Sequence, residues 1–159
     1  MPTHAEKRVL PYAPDKLFDL VADVEQYPEF LPWCLGARIR KREPGLLIAD
    51  LIIGFKMVRE RFTSRVELDR EKKRIDVTYT DGPFKYLNNH WIFLPETLPD
   101  GTEGCLIDFY VDFEFRSALL QKLISVLFNE AVRRMVGAFE TRAHALYGGA
   151  AAPADPSAD

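Results

Sequence analysis

The sequence predicts an α+β protein in which one antiparallel sheet carries its helices on a single face. Three observations lead there. Between Cys34 and Phe115 the apolar side chains recur at every second residue, the period of half-buried strands. Before and after that stretch the period becomes helical, over Pro14–Val24 and again over Ala118–Tyr147. Aromatic residues make up 12% of the chain, with 11 Phe, 6 Tyr and 2 Trp, which suits strands closing around bulky side chains.

Each element has a local reason. Thr3–Leu10 extends as a first strand and is stopped by Pro11 and Pro14. Pro14 opens a short helix at its first position, Asp15 complements the helix dipole, and Leu17, Phe18, Leu20, Val21 and Val24 share a face. Tyr27-Pro28-Glu29-Phe30-Leu31-Pro32-Trp33 follows. Two prolines restrict it to a helical turn or loop carrying four large apolar side chains.

In the next strand Leu35, Ala37 and Ile39 alternate with Arg38, Arg40 and Arg42. Pro44-Gly45 turns the chain into a strand with Leu47, Ala49, Leu51, Ile53 and Phe55 inward and Asp50 outward. Phe62, Ser64, Val66 and Leu68 form the next inner face, and Ile75, Val77 and Tyr79 the one after the charged loop Asp69–Lys73. Asp81-Gly82-Pro83 is a turn before Leu87, Asn89, Trp91 and Phe93. Pro95–Gly104 reads as a polar loop. Ile107, Phe109, Val111, Phe113 and Phe115 then alternate cleanly with Asp108, Tyr110, Asp112 and Glu114.

Ser117 is placed to cap the last helix, whose apolar arc includes Leu120, Leu123, Ile124, Leu127, Phe128, Ala131, Met135, Ala138, Phe139 and Leu146. Unbroken, Ala118–Tyr147 would run about 45 Å at ~1.5 Å per residue. The order is thus one strand, short helices, six strands and a long helix. That helix is too long and too apolar merely to cover a flat sheet. A curved sheet wrapped around it would leave a space between them.

Composition narrows the class. The 159 residues, 47% hydrophobic and 28% charged, suffice for one core without disulfides or metals. One domain is expected over 1–147. The Ala-, Pro- and Asp-rich segment 148–159 is expected to be disordered. A net charge of −3 gives a nucleic-acid module no help from bulk charge, and no DNA partner is expected. Cys34 and Cys105 match no metal spacing and read as buried free thiols. Residues 1–10 show neither signal-peptide nor transit-peptide character. The richest apolar run, Ser117–Val132, is broken by Lys122 and Glu130. A soluble cytoplasmic protein is expected, touching the membrane from one side if at all.

Pro11-Tyr12 and then Asp23-Val24-Glu25-Gln26-Tyr27-Pro28-Glu29-Phe30-Leu31-Pro32-Trp33-Cys34 resemble the opening segment of the coenzyme Q-binding START-like family. Asp81-Gly82-Pro83-Phe84-Lys85, Val111-Asp112-Phe113-Glu114-Phe115 and Met135-Val136-Gly137-Ala138-Phe139 with Arg142-Ala143 match its later motifs in order and spacing. The resemblance covers Thr3 to Tyr147. Ala49–Val66 looks closer to the quinone-chaperone branch than to the sister branch of ribosome-association toxins. The resemblance implies a helix-grip fold, a seven-stranded curved sheet around the C-terminal helix, with an apolar tunnel between them. It also implies ubiquinone (or a related polyprenyl quinone) as a non-covalent ligand, no covalently bound cofactor, and support of respiratory electron transfer at the inner membrane or its complexes.

On that reading the tunnel would be lined by Phe62, Ser64, Val66, Tyr79, Trp91, Phe109, Val111, Leu123, Leu127 and Met135. A prenyl tail needs apolar area, and a quinone ring needs one or two donors, for which Ser64, Tyr79 and Asn89 are candidates. Tyr27, Phe30, Leu31 and Trp33 would form a gate with interfacial character. Arg142 falls within the apolar arc and needs a partner such as Asp108 or Asp112. The basic residues Arg38, Arg40, Lys41 and Arg42, with Arg70, Lys72, Lys73 and Arg74, carry the alternative of a ribosome-associated translation inhibitor. Polyketide-cyclase-like catalysis is the third reading. It needs a titrating group inside, and the sequence offers only Glu60, since His90 points outward, His4 lies near a terminus and His144 falls on the polar side of the last helix. No metal site is expected.

Overall fold

The computed structural model describes residues 3–55 and 58–148, apart from the side chains of residues 55, 58, 127 and 129. The expected disordered tail lies outside the described residues, except for Gly148. Seven strands form one antiparallel sheet in the order β1-β7-β6-β5-β4-β3-β2. They are β1 (Thr3–Leu10), β2 (Cys34–Glu43), β3 (Leu46–Phe55), β4 (Val58–Asp69), β5 (Arg74–Asp81), β6 (Phe84–Thr97) and β7 (Glu103–Phe115). Strands β2 to β7 are a meander, and β1 returns to pair with β7 from Thr3↔Asp112 to Leu10↔Cys105. The helices are α1 (Pro14–Ala22), a 3-10 turn Val24–Gln26, α2 (Tyr27–Phe30) and α3 (Ala118–Ala143). Ser117 caps α3 by accepting a hydrogen bond from the Leu120 amide at 3.2 Å.

The core lies between the concave face of the sheet and the helices. Leu17 and Phe18 of α1 are 1% exposed, and Phe18 packs edge-on against Phe93 of β6 at 5.9 Å. Among the described side chains of α3 the buried residues are Phe128, Val132, Val136, Phe139 and Ala143, a seam at helical spacing along the C-terminal two-thirds of the helix. On its solvent side Leu119 and Val126 are 77% and 80% exposed. At the tight turn Asp81–Pro83, Gly82 has φ 140°. A Cβ there would lie 2.7 Å from that of Phe62, so only glycine fits.

Four details differ from the sequence reading. β2 carries irregularities between Cys34 and Gly36 and between Ile39 and Lys41. Each extra residue reverses the phase, so Cys34 is buried, Leu35 is exposed, and Arg42 pairs with the inward Leu47. The predicted loop Pro95–Gly104 is partly strand. Pro95 pairs with Cys105 beyond the last β6 residue that β5 reaches, Ile92, so no ladder bond is lost there. The α-helix stops at Ala143, and His144–Gly148 forms a wider π-helical turn, in which Leu146 is exposed. Finally, Arg142 makes no ion pair with Asp108 or Asp112. Those carboxylates sit on the outer face because Phe109 and Phe113 take the inner one. The Arg142 guanidinium instead lies 5.3 Å over the Phe30 ring.

The pin between sheet and helix is Arg8, on the concave face of edge strand β1. It bonds Glu140 of α3 at 2.6 Å and Glu6 at 2.7 Å. Tyr12 hydrogen-bonds His144, and the Tyr147 hydroxyl donates to the Lys16 carbonyl at 3.0 Å. The C-terminal half of α3 is thereby fastened to β1 and α1.

Both cysteines are free and buried. Burial pushes the Cys105 thiol up to about 12 and raises that of Cys34, and burial likewise lifts the Tyr27 hydroxyl far above its ordinary value. A group whose folded pKa exceeds its unfolded value stabilises the fold fully below the unfolded pKa. That contribution is lost as pH rises through the folded one. Stability should therefore decline between about pH 8.5, where an unfolded thiol ionises, and about 12, as measured by urea unfolding across that range. In native buffer a thiol reagent should label neither cysteine until denaturant is added.

Candidate functional site

A cavity of two apolar lobes lies between the sheet and the helices. The inner lobe, about 190 Å³, sits beneath α2 and the last turns of α1, and it reaches β3 to β7. The outer lobe, about 210 Å³, lies beneath the N-terminal half of α3 and opens beside Leu123. Trp33, Ile53, Phe62, Leu87, Val111 and Met135 border both lobes, so they form the waist. The outer lobe is lined by apolar side chains and Trp33, whereas the inner lobe adds Ser64, Asn89, Tyr27 and Cys34. Strand alternation explains the lining: inward residues of β3, β4, β6 and β7 all face this space.

Most residues predicted for the tunnel converge here. Phe62, Val111 and Met135 line the waist. Ser64, Val66, Trp91 and Phe109 line the inner lobe, and Leu123 stands at the outer mouth, 38% exposed. The side chain of Leu127 lies outside the described residues. Tyr79 is the exception. Its hydroxyl donates to the Gly82 carbonyl and its ring packs on Phe84, so it serves the β5–β6 turn rather than the cavity. Phe84, which the sequence reading named within a motif but not among the tunnel residues, is 3% exposed. It lies among the rings of Phe62, Tyr79, Phe113 and Phe115, at 5.3, 5.4, 5.6 and 4.7 Å.

The candidate donors separate. Asn89 is committed on both sides of its amide, donating to the Tyr110 carbonyl at 2.7 Å and accepting from the Trp91 indole at 3.2 Å. Ser64, 2% exposed, makes no side-chain hydrogen bond among the described residues and borders the inner lobe. It is the hydroxyl left to meet a guest.

The proposed gate residues divide as well. Tyr27 and Phe30 pack edge-on against Phe139 of α3 at 5.4 and 5.2 Å, and the Tyr27 hydroxyl donates to the Val21 carbonyl. Leu31 is 9% exposed, and Trp33 is at the waist. These contacts pack α2 against α3 beside the inner lobe.

Acid–base chemistry has little to work with at the cavity. His90 stacks on Tyr110 on the outer face at 5.3 Å. Glu60, half-buried opposite Ile53, borders neither lobe. His144 belongs to the pin described above. His4 does face inward, 6.2 Å from the Phe109 ring, but it is bonded to Glu6 at 2.9 Å on the rim. Among the described residues no group of His, Cys, Asp or Glu is arranged to hold a metal ion.

The basic residues regroup in three dimensions. Arg70 pairs with Asp19 at 2.5 Å and Lys73 with Asp15 at 2.9 Å, fastening the β4–β5 loop to α1. Arg42 pairs with Glu25 and Lys41 with Glu43. Lys41, Arg42, Arg70 and Lys73 of the predicted cluster are thus engaged in ion pairs. Its Arg38 and Arg40 lie on the convex face of β2–β4, where they are exposed around Asp50 together with Arg59, Arg61 and Arg65. The cue was the odd-numbered phase of β4 opposite Phe62, which placed Arg61 and Arg65 outward. The bulges of β2, which bring Arg40 alongside, gave no sequence signal.

Comparison with known proteins places the chain. The curved sheet, the long helix packed on it and the cavity between them are a fold shared with a START superfamily protein from Mycobacterium smegmatis, at a TM-score of 0.71 and 18% identity, covering 91% of this chain and 98% of that one. The chain belongs to the family described as polyketide cyclase / dehydrase and lipid transport, which matches residues 10–140. It is 42% identical over 139 residues to the ribosome association toxin RatA of Rickettsia prowazekii, covering 86% of this chain and 92% of that one. It is 36% identical to the mitochondrial coenzyme Q-binding protein COQ10 homolog B of Xenopus laevis, covering 91% of this chain and 59% of that one. The solution structure of the 18 kDa protein CC1736 from Caulobacter crescentus matches with 39% identity and a TM-score of 0.73, covering 93% and 99% of the two chains. Over the whole chain the toxin is the more similar of the two named relatives.

Phe84→Ala removes the hub of the aromatic cluster beside the waist. It should destabilise the protein by about 3–5 kcal/mol in urea unfolding, with the helical signal of the folded state retained.

Proposed function

We propose that the chain is a non-enzymatic carrier of a polyprenyl quinone such as ubiquinone, its ring in the inner lobe and its tail leaving through the outer mouth. The observation that carries this reading is the two-lobed apolar cavity, with its polar side chains confined to the inner lobe. Each lobe slightly exceeds the ~150 Å³ of an engineered apolar cavity that holds benzene. There is thus room for a ring and a short length of tail, and the remainder must emerge. By cavity-volume scaling, either lobe left empty forgoes about 5 kcal/mol of packing. That loss rivals the whole stability of an ordinary domain, ~5–15 kcal/mol, and a guest would offset it. A prenyl tail supplies apolar area at about 25 cal/mol per Å², and the Ser64 hydroxyl supplies a donor to a quinone carbonyl.

The exposed Leu119, Leu123 and Val126 flank the mouth on α3. These side chains suit contact with a bilayer from which a lipid could be drawn without crossing water. No helix among the described residues is long and apolar enough to cross a membrane. Association with the ribosome is a second reading. It is favoured by the arginine face of β2–β4 and by the name of the Rickettsia relative.

The first reading is tested by extracting the purified protein with organic solvent. A quinone absorbance that disappears on borohydride reduction is expected. Val111→Trp plugs the waist and should abolish copurification while costing about 1–3 kcal/mol of stability. Leu119→Ser with Val126→Ser should leave the cavity intact but slow quinone transfer from vesicles. If Val111→Trp folds and still carries quinone at the wild-type level, the carrier reading fails.

A further inference from the structure

We propose that the Asp50-centred arginine face of β2–β4 is a docking platform for the sugar-phosphate backbone of RNA. The proposal rests on the second reading above and names its surface and chemistry.

Asp50 is 4% exposed although it lies on the convex side of the sheet. It is covered by the side chains around it. Its Oδ1 accepts from the Thr63 hydroxyl at 2.5 Å, and Thr63 is its register partner on β4. Its Oδ2 takes the Arg61 guanidinium at 3.1 Å and faces the Arg40 Nε at 3.6 Å. Burial works to raise the Asp50 carboxyl, yet the bonds from Thr63 and Arg61 and the charges of Arg40 and Arg61 outweigh it and hold it below its ordinary value. One carboxylate therefore anchors two guanidinium groups that are themselves 51% and 61% exposed. Arg38 is the register partner of Asp50 on β2, and Arg59 and Arg65 share the outward phase of β4 with Arg61. Arg65 is bonded to Glu67 at 3.0 Å. Alternate residues on a strand are about 7 Å apart and neighbouring strands about 4.8 Å. Five arginines thus share a small area in a chain whose net charge is −3.

Arginine meets phosphate with a planar fork of donors, and a fork already held in place loses less freedom on binding. Asp50 supplies that restraint. The competing partner with the same charge is an anionic bilayer, and the layout argues against it. A membrane-binding surface combines basic residues with apolar side chains that insert. Here Leu119 and Val126 project from the solvent side of α3, which packs on the concave face, whereas the arginines cover the convex face. A bilayer cannot engage both at once. A phosphodiester chain needs only the arginines.

The test uses the full chain and a short fluorescently labelled RNA hairpin, read by anisotropy across a salt series. Binding should weaken about fifty-fold over a fourfold rise in salt, as expected for about four phosphate contacts. Asp50→Asn separates the platform from charge alone. It makes the face more positive by one unit, so charge alone predicts tighter binding. Release of Arg40 and Arg61 predicts binding about tenfold weaker. Should Asp50→Asn not fold, Arg38→Gln with Arg59→Gln changes two exposed side chains and should lower the salt slope by about 1.4, half its value. Absence of RNA binding, tighter binding by Asp50→Asn, or an unchanged slope in the double variant would each overturn the proposal. So would phosphatidylglycerol vesicles that bind with the same response to these substitutions. Cosedimentation with ribosomal subunits separates the two levels. Sedimentation that persists in the double variant preserves the second reading and overturns this surface. Loss of sedimentation in the double variant, with the fold intact, supports both, and no sedimentation of the wild-type chain removes the reading itself.

Discussion

The unequal attachment of α3 underlies the rest of the structure. Its C-terminal two-thirds are held by an apolar seam, by Arg8 against Glu140 and by Tyr12 against His144. Its first turns lack that seam and are tied to the end of β7 by the Phe115 amide, which donates to Gln121 Oε1 at 2.8 Å. A straight helix held at both ends over a curved sheet cannot follow the sheet between them. The gap is the outer lobe, and the inner lobe continues it beneath α2. Close packing, which most protein interiors reach, is here given up along one side of a single helix.

Large apolar residues on a proline-bounded turn suggest a movable flap. In the fold, Tyr27 and Phe30 lie edge-on against Phe139, with Arg142 over Phe30, so α2 is packed on α3 beside the inner lobe. The outer lobe is bordered by the N-terminal half of α3, where Leu119, Leu123 and Val126 are exposed.

The two faces of the sheet do different work. Inward residues enclose an apolar space whose uncommitted donor is Ser64. Outward residues of β2–β4 carry guanidinium groups organised by a buried carboxylate. The two sites share strands β3 and β4 but present opposite sides of them, since successive side chains on a strand alternate. A ligand in the cavity and a partner on the arginine face would not compete for side chains. This is consistent with one fold having relatives named for quinone binding and for ribosome association.

The strands, their inner faces and the long helix were legible in the sequence because alternation and the helical period are local consequences of where apolar residues fall. The cavity lining followed from the same phase, which is why Phe62, Ser64, Trp91, Phe109 and Val111 were assigned to one space in advance. Tyr79 shared that phase and still left the cavity, drawn to the Gly82 carbonyl by a turn whose geometry depends on one glycine. The bulges of β2, the extension of β6 through Pro95, the pairing of Arg8 rather than Arg142, and the assembly of Arg40, Arg61 and Thr63 on Asp50 were decided by tertiary structure alone. Each depends on which strands become neighbours and in what register. Periodicity along one segment carries no record of its distance from another.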